Sequence, residues 1–295
     1  MPIYDRRYRG WDGERRPPRT AILTIAKHAL AGVFSSRLTL ILFVASCLPF
    51  LVFATIIWVA NNLEMLPIIR LESPDQLLQG LEGPLFFWFL VWQSSFAFLL
   101  VSFAGPGLVG PDLQHGALPL YLARPIGRME YITGKLLALI TLLSAVTWIP
   151  GLLLIVLQGS LAGDGWFLSH LRMPFAVFVG SWVWILPLAL AALAISSAIR
   201  WRPLATGALF ALVVVGSGFG AVINEALDTR WGKLLMFGEL VQAVWSDLFG
   251  GVRFFDRVWP PDPLPSVVNW LTLAVGCGLA LLVLRRKIRA HEVVR

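Results

Sequence analysis

Six long runs of this 295-residue chain contain no Asp, Glu, Lys or Arg: about 38–60, 84–104, 136–158, 174–198, 203–224 and 266–284. A helix needs about 20 mostly apolar residues to cross the hydrocarbon core of a bilayer. The runs are continuous rather than alternating, so they predict helices and not barrel strands. Only 14% of the residues are charged, against about 25% in a soluble domain.

Charge sets the orientation. With the N-terminus inside, segments 1–37, 105–135, 199–202 and 285–295 hold 18 of the 24 Lys and Arg residues. Segments 61–83, 159–173 and 225–265 hold the other 6, together with 11 of the 17 acidic residues. That split follows the positive-inside rule and predicts that both termini are cytoplasmic. The expected fold is an all-α polytopic membrane protein. Residues 1–37 are a basic leader and interfacial helix, 38–284 a six-helix transmembrane domain, and 285–295 a basic cytoplasmic tail. The net charge of +7 gathers at span ends, so membrane lipid is the expected partner and nucleic acid is not. The first apolar run is too long for a signal h-region, so no cleaved signal is expected.

Three segments between spans have structure of their own. Over 20–36, Ile22, Ile25, Ala26, Ala29, Leu30, Val33 and Phe34 share one helical face. This predicts an amphipathic helix on the cytoplasmic leaflet. The preceding Arg6, Arg7, Arg9, Arg15, Arg16 and Arg19 suit anionic lipid, or form a plain leader. Within 225–265, Leu234, Phe237, Val241, Val244, Trp245 and Leu248 form a stripe at helical spacing. Trp231, Trp245 and Trp259 suit a membrane–water boundary. A short helix resting on the outer leaflet or dipping into it is expected before span six. Segment 61–83, with Ser73-Pro74-Asp75, reads as a shallow interfacial stretch and a turn.

Several chemistries are missing. Neither Gly134-Lys135 nor Gly232-Lys233 belongs to a G-x-x-x-x-G-K-[ST] loop, so no ATP-binding phosphate cradle is expected on this chain. There is no H-E-x-x-H and no C-x-x-C pair; Cys47 and Cys277 lie in apolar runs. The chain is not expected to be an enzyme or to bind a cofactor or metal. The apolar runs also lack the ionisable group that ion-coupled transporters commonly bury. Their small polar residues are expected to bond between helices, with pathway lining the lesser alternative. Gln93, a long amide in mid-span, is the best pathway candidate. Gly216 and Gly220 form a G-x-x-x-G, which permits close helix packing within one subunit or between two.

The segment between the second and third runs carries the most information. Gly105, Pro106, Gly107, Gly110 and Pro111 predict a sharp end to span two. Asp112 is placed to cap a following short helix. Ala117, Leu120 and Tyr121 would share a face able to enter a partner's groove. Arg124-Pro125 ends that helix, and Arg128 and Lys135 would anchor span three at the headgroups. An ordinary loop is the plain alternative.

The pattern Asp112-x-x-x-Gly116-Ala117-Leu118-x-x-Tyr121-Leu122-x-Arg124-Pro125-x-x-Arg128-x-x-Tyr131-x-x-Gly134-Lys135 resembles the signature between spans two and three of ABC-2 type (type V exporter-like) permeases. The six-span layout and the two flanking helices extend the resemblance over most of the chain. Pro119 and His115 depart from the usual pattern. The resemblance implies a permease subunit of an ABC exporter in a bacterial plasma (inner) membrane. It implies pairing with a second permease copy, homo- or heterodimeric, and with separate cytoplasmic ABC ATPase subunits that hold ATP and Mg. Asp112, His115, Gly116, Leu118, Tyr121, Arg124, Pro125 and Arg128 would form the coupling helix entering the ATPase. Spans one and five would meet across the dimer, placing Gly216 and Gly220 between subunits. The alternatives are a stand-alone secondary transporter or channel, and a membrane anchor for a partner complex.

Overall fold

The computed structural model describes residues 18–62, 74–115, 127–163, 165–254 and 257–288. Among them, six helical spans are long and apolar enough to cross a membrane: Arg37–Asn61, Gly83–Gln114, Arg128–Ala162, Arg172–Ala198, Arg202–Ala226 and Ser266–Lys287. Every expected run falls in one of them, and the chain is a helical multi-pass membrane protein. The described residues of 105–135, with 199–202, mark one end of the bundle, called here the basic end. The arginine-rich leader, most of the tail and residues 63–73 lie outside the described residues.

Helix α1 (Pro18–Phe34) leads into span 1, which is α2 (Arg37–Ala45) and α3 (Leu48–Asn61). The expected face of α1 is the buried one, through Ile25, Ala26, Ala29 and Val33. It packs on α6 (Arg128–Val146) rather than on a leaflet. Gly134 explains this: a Cβ built there would lie 2.8 Å from the Ile25 side chain and 3.1 Å from Ile22 O. With no side chain in the way, the two backbones meet.

Spans 2 and 3 run further than their apolar stretches. Span 2 is α4 (Pro74–Ala104) followed by α5 (Pro106–Gln114). Pro74 opens a helix instead of a turn, as proline does readily at the first helical position. The sharp break expected at Gly105–Pro111 is only a step, because Pro106 likewise starts a new helix that runs on to Gln114. Span 3, α6 with α7 (Trp148–Ala162), begins at Arg128, eight residues before the expected 136. The spans are thus not free of charge, since they include Asp112, Glu130 and Lys135.

After the single turn of α8 (Trp166–Ser169), span 4 is α9 (Arg172–Ala198). It is the hub, packing against α4, α5, α6, α7 and the elements near span 6. Its small residues, among them Ala176, Gly180, Ala189 and Ala192, are buried and let neighbours approach. Span 5 is α10 (Arg202–Phe210), one π turn (Ala211–Val215) and α11 (Gly216–Ala226). Spans 1, 5 and 6 stand at the periphery. Leu212, Val214, Val215, Phe219 and Val222 expose more than half their surface, an arrangement stable in lipid and costly in water.

Beyond span 5 the chain turns back. A 3₁₀ turn (Trp231–Leu235) lies against α11, and α12 (Phe237–Phe249) returns along α9. The Phe237 ring sits 5.1 Å from Trp184, while Arg172 donates to Leu248 O and Asp247 O, each at 2.8 Å. Trp184 is twelve residues from Arg172, on the order of 18 Å along a helix. The helix therefore packs along span 4. Trp245 is not at a boundary: it is 1% exposed, and its Nε1 donates to Gly180 O at 2.7 Å. An unexpected antiparallel ribbon, β1 (Val252–Phe254) and β2 (Arg257–Trp259), precedes span 6, α13 (Ser266–Lys287).

Candidate functional site

The basic ends of spans 2 and 3 are two helical stems that flank residues 116–126. By helical rise, α5 carries span 2 on the order of 13 Å past its apolar run, and the start of α6 adds about 12 Å to span 3. Of the predicted coupling residues, Gly116, Leu118, Tyr121, Arg124 and Pro125 lie outside the described residues. His115 is exposed at the end of α5, its Nδ1 donating back to Pro111 O at 2.8 Å. Arg128 is exposed at the first position of α6.

Asp112 does not cap a following helix. It lies inside α5, and its Oδ2 accepts from the Tyr131 hydroxyl at 2.7 Å and pairs with Lys135 Nζ at 2.8 Å. Tyr131 is fully buried and Lys135 only 7% exposed. A carboxylate on the neighbouring stem thus holds Lys135 inside the protein. Its ammonium also lies 5.5 Å from the Tyr131 ring centroid, a cation–π approach.

The first turn of α5 is fastened to the hub. The buried Ser196 hydroxyl on α9 donates to Pro106 O at 3.0 Å and accepts from Gly110 N at 3.0 Å and Val109 N at 3.3 Å. One donor and two lone pairs are all a hydroxyl has, so Ser196 is saturated. Such a contact needs close backbones, and glycine supplies them. A Cβ at Gly105 would lie 2.8 Å from Ala192 Cβ, and one at Gly110 would lie 3.3 Å from Arg200 O. Thr206 adds a bond from α10 to Ser102 O at 3.1 Å.

Ser196 and Thr206 do bond between helices, as expected of small polar residues in spans. Ser94, Thr141, Thr147, Ser197, Ser217 and Thr272 instead bond carbonyls of their own helices. An i−3 or i−4 carbonyl is always in reach of a short hydroxyl.

Gln93 is 0% exposed and donates through Nε2 to Ser46 O at 2.9 Å. Ser46 sits at the step in span 1, just before Pro49, which has no N–H to give the preceding turn. Gln93 thus ties span 2 to span 1. Its Oε1 is buried with no hydrogen-bond partner among the described residues. Gln93→Leu removes both the bond and the orphan acceptor. The expected change in thermal stability is under about 1 kcal/mol, since a membrane hydrogen bond is worth about 0.6 kcal/mol. A melting curve checks it, and a pathway role would instead show as altered transport at unchanged stability.

Gly216 and Gly220 are occupied within the chain. A Cβ at Gly216 would lie 3.2 Å from Leu235 O; one at Gly220 would strike Gly232 O and lie 2.7 Å from Met236 Cγ. Asn224 Oδ1 accepts from Gly232 N at 2.7 Å across the same seam. Within the chain these glycines serve the packing of α11 on the 3₁₀ turn.

Fold and site together define a multi-pass helical membrane protein whose second and third spans are cross-tied where they leave the bundle. No protein-family model matches the chain, and no curated protein matches it.

Proposed function

We propose that the chain is the membrane-spanning permease subunit of an ABC exporter, with the basic end and both termini in the cytoplasm of a bacterial plasma membrane. Residues 112–128 would act as the coupling segment, receiving motion from a separate ATPase subunit that binds ATP and Mg. A second permease copy would complete the transporter. The observation that carries this reading is mechanical. The described residues on either side of 116–126 are helical stems, and Ser196 fastens the first stem to the central span 4. A push on the segment would move the hub rather than bend a loop.

A tagged chain drawn from its native membrane in mild detergent is expected to carry a stoichiometric soluble ATPase. Arg124→Glu is expected to lower that recovery by at least tenfold, because it reverses a charge on the contact surface. A preparation with no ATPase would overturn the proposal. The ion-coupled alternative has a foothold among the described residues, the largely buried Asp112–Lys135 pair. Uptake by the chain alone in ATP-free vesicles would favour it.

A further inference from the structure

We infer that Asp112, Tyr131 and Lys135 are positioning residues, a latch that sets the two stems of segment 116–126 in one fixed register. Tyr131 and Lys135 are four residues apart on α6, one turn of the same face. Both reach a single oxygen, Oδ2 of Asp112 on α5. Two grips one turn apart on one carboxylate fix sliding along the helix axis as well as separation. An apolar contact between the stems would fix only separation.

The choice of a buried ion pair supports this. Lys135 and Asp112 keep side-chain exposures of 9% and 20%. Replacing such a pair with apolar residues is often neutral for stability, whereas removing one partner strands a buried charge. Bulk stability thus gives little reason for the pair, and registration gives a clear one. The latch also completes a chain of fastenings. Ser196 holds α5 to α9, the latch holds α6 to α5, and Gly134 seats α1 on α6. All the described chain around the segment then moves as one body. The functional consequence rests on the coupling proposal, while the latch itself rests on geometry.

The test uses full-length protein in lipid nanodiscs and times trypsin cleavage after Arg128, in the first turn of α6, by mass spectrometry. Cleavage that needs local opening reports the population of the open state. Asp112→Asn and Lys135→Met are each expected to speed this cut by about tenfold or more, as loss of one partner of a largely buried pair should. The double variant Asp112→Leu with Lys135→Met carries no stranded charge. Its melting temperature is expected to return near the parent value while the cut stays about tenfold fast. Tyr131→Phe, which removes one hydroxyl, is expected to speed it about threefold, in line with a lost hydrogen bond to a charged group.

Parent cleavage rates in the double variant and in Tyr131→Phe would overturn the latch. Fast cuts with no ATPase on the parent protein would leave the latch standing and remove the coupling reading. Slow cuts in every variant, with the ATPase bound, would do the reverse.

Discussion

Gly220→Ala is expected to destabilise the protein by about 3 kcal/mol or more, at the upper end of what overpacking costs. The added methyl would meet Gly232 O and Met236 Cγ, the latter at 2.7 Å. The first of these is backbone and has no rotamer to change. The seam is reciprocal, since a Cβ at Gly232 would meet Gly220 O and lie 2.6 Å from Asn224 Oδ1. Opening it to admit the methyl also stretches the Asn224–Gly232 bond of 2.7 Å.

Gly218→Ala is the control. It lies two residues away with nothing within 4 Å, and a helical Gly→Ala there should stabilise by up to about 1 kcal/mol. Opposite signs from neighbouring positions in one helix, read as melting temperatures in detergent, would establish the seam. If Gly220→Ala only split an oligomer and left the melting temperature unchanged, the glycines would face another subunit instead.

That G-x-x-x-G shows what the sequence makes legible and what it withholds. Missing side chains announce a close approach. They do not name the partner, and here it is a 3₁₀ turn little more than ten residues downstream. The six spans were legible because apolar length is a property of each segment alone. Their extents at the basic end were not. Hydropathy counts Asp112 and Lys135 as two costs, yet on neighbouring stems they satisfy each other. The Gly-Pro cluster misled for a related reason: Pro106 ends one helix and is also a good first residue for the next.

The buried face of α1 could be read from spacing, but its partner depended on Gly134, a hundred residues away. Trp245 was misplaced because an indole N–H suits an interface and equally suits a carbonyl inside the bundle, such as Gly180 O. The three-residue strands of the ribbon are too short to leave a periodic signal. Within the 112–135 pattern, Asp112, Tyr131 and Lys135 all stood in view. What spacing could not supply was that one carboxylate serves the other two.

Ser196→Ala is expected to cost about 3 kcal/mol, because it strips partners from buried backbone groups at about 1–3 kcal/mol each. Pro106 O loses a donor, and Val109 N and Gly110 N lose an acceptor. Ser196 is wholly buried, and the neighbours Gly105 and Gly110 already stand in close contact with α9. The adjacent Ser197→Ala removes only a bond from Oγ to Ala194 O in its own helix, so it should change stability by less than about 1 kcal/mol.

The pair of variants separates a specific fastening from general polarity at the end of span 4. In the proposed transporter the two should also part functionally. Loosening α5 from α9 breaks the path from the coupling segment to the hub, leaving the segment itself intact. The partner should then still bind and hydrolyse ATP with Ser196→Ala, while cargo moved per ATP falls well below that of Ser197→Ala. If transport and hydrolysis fell together, motion would reach the spans by a route that bypasses Ser196, through α1 and α6.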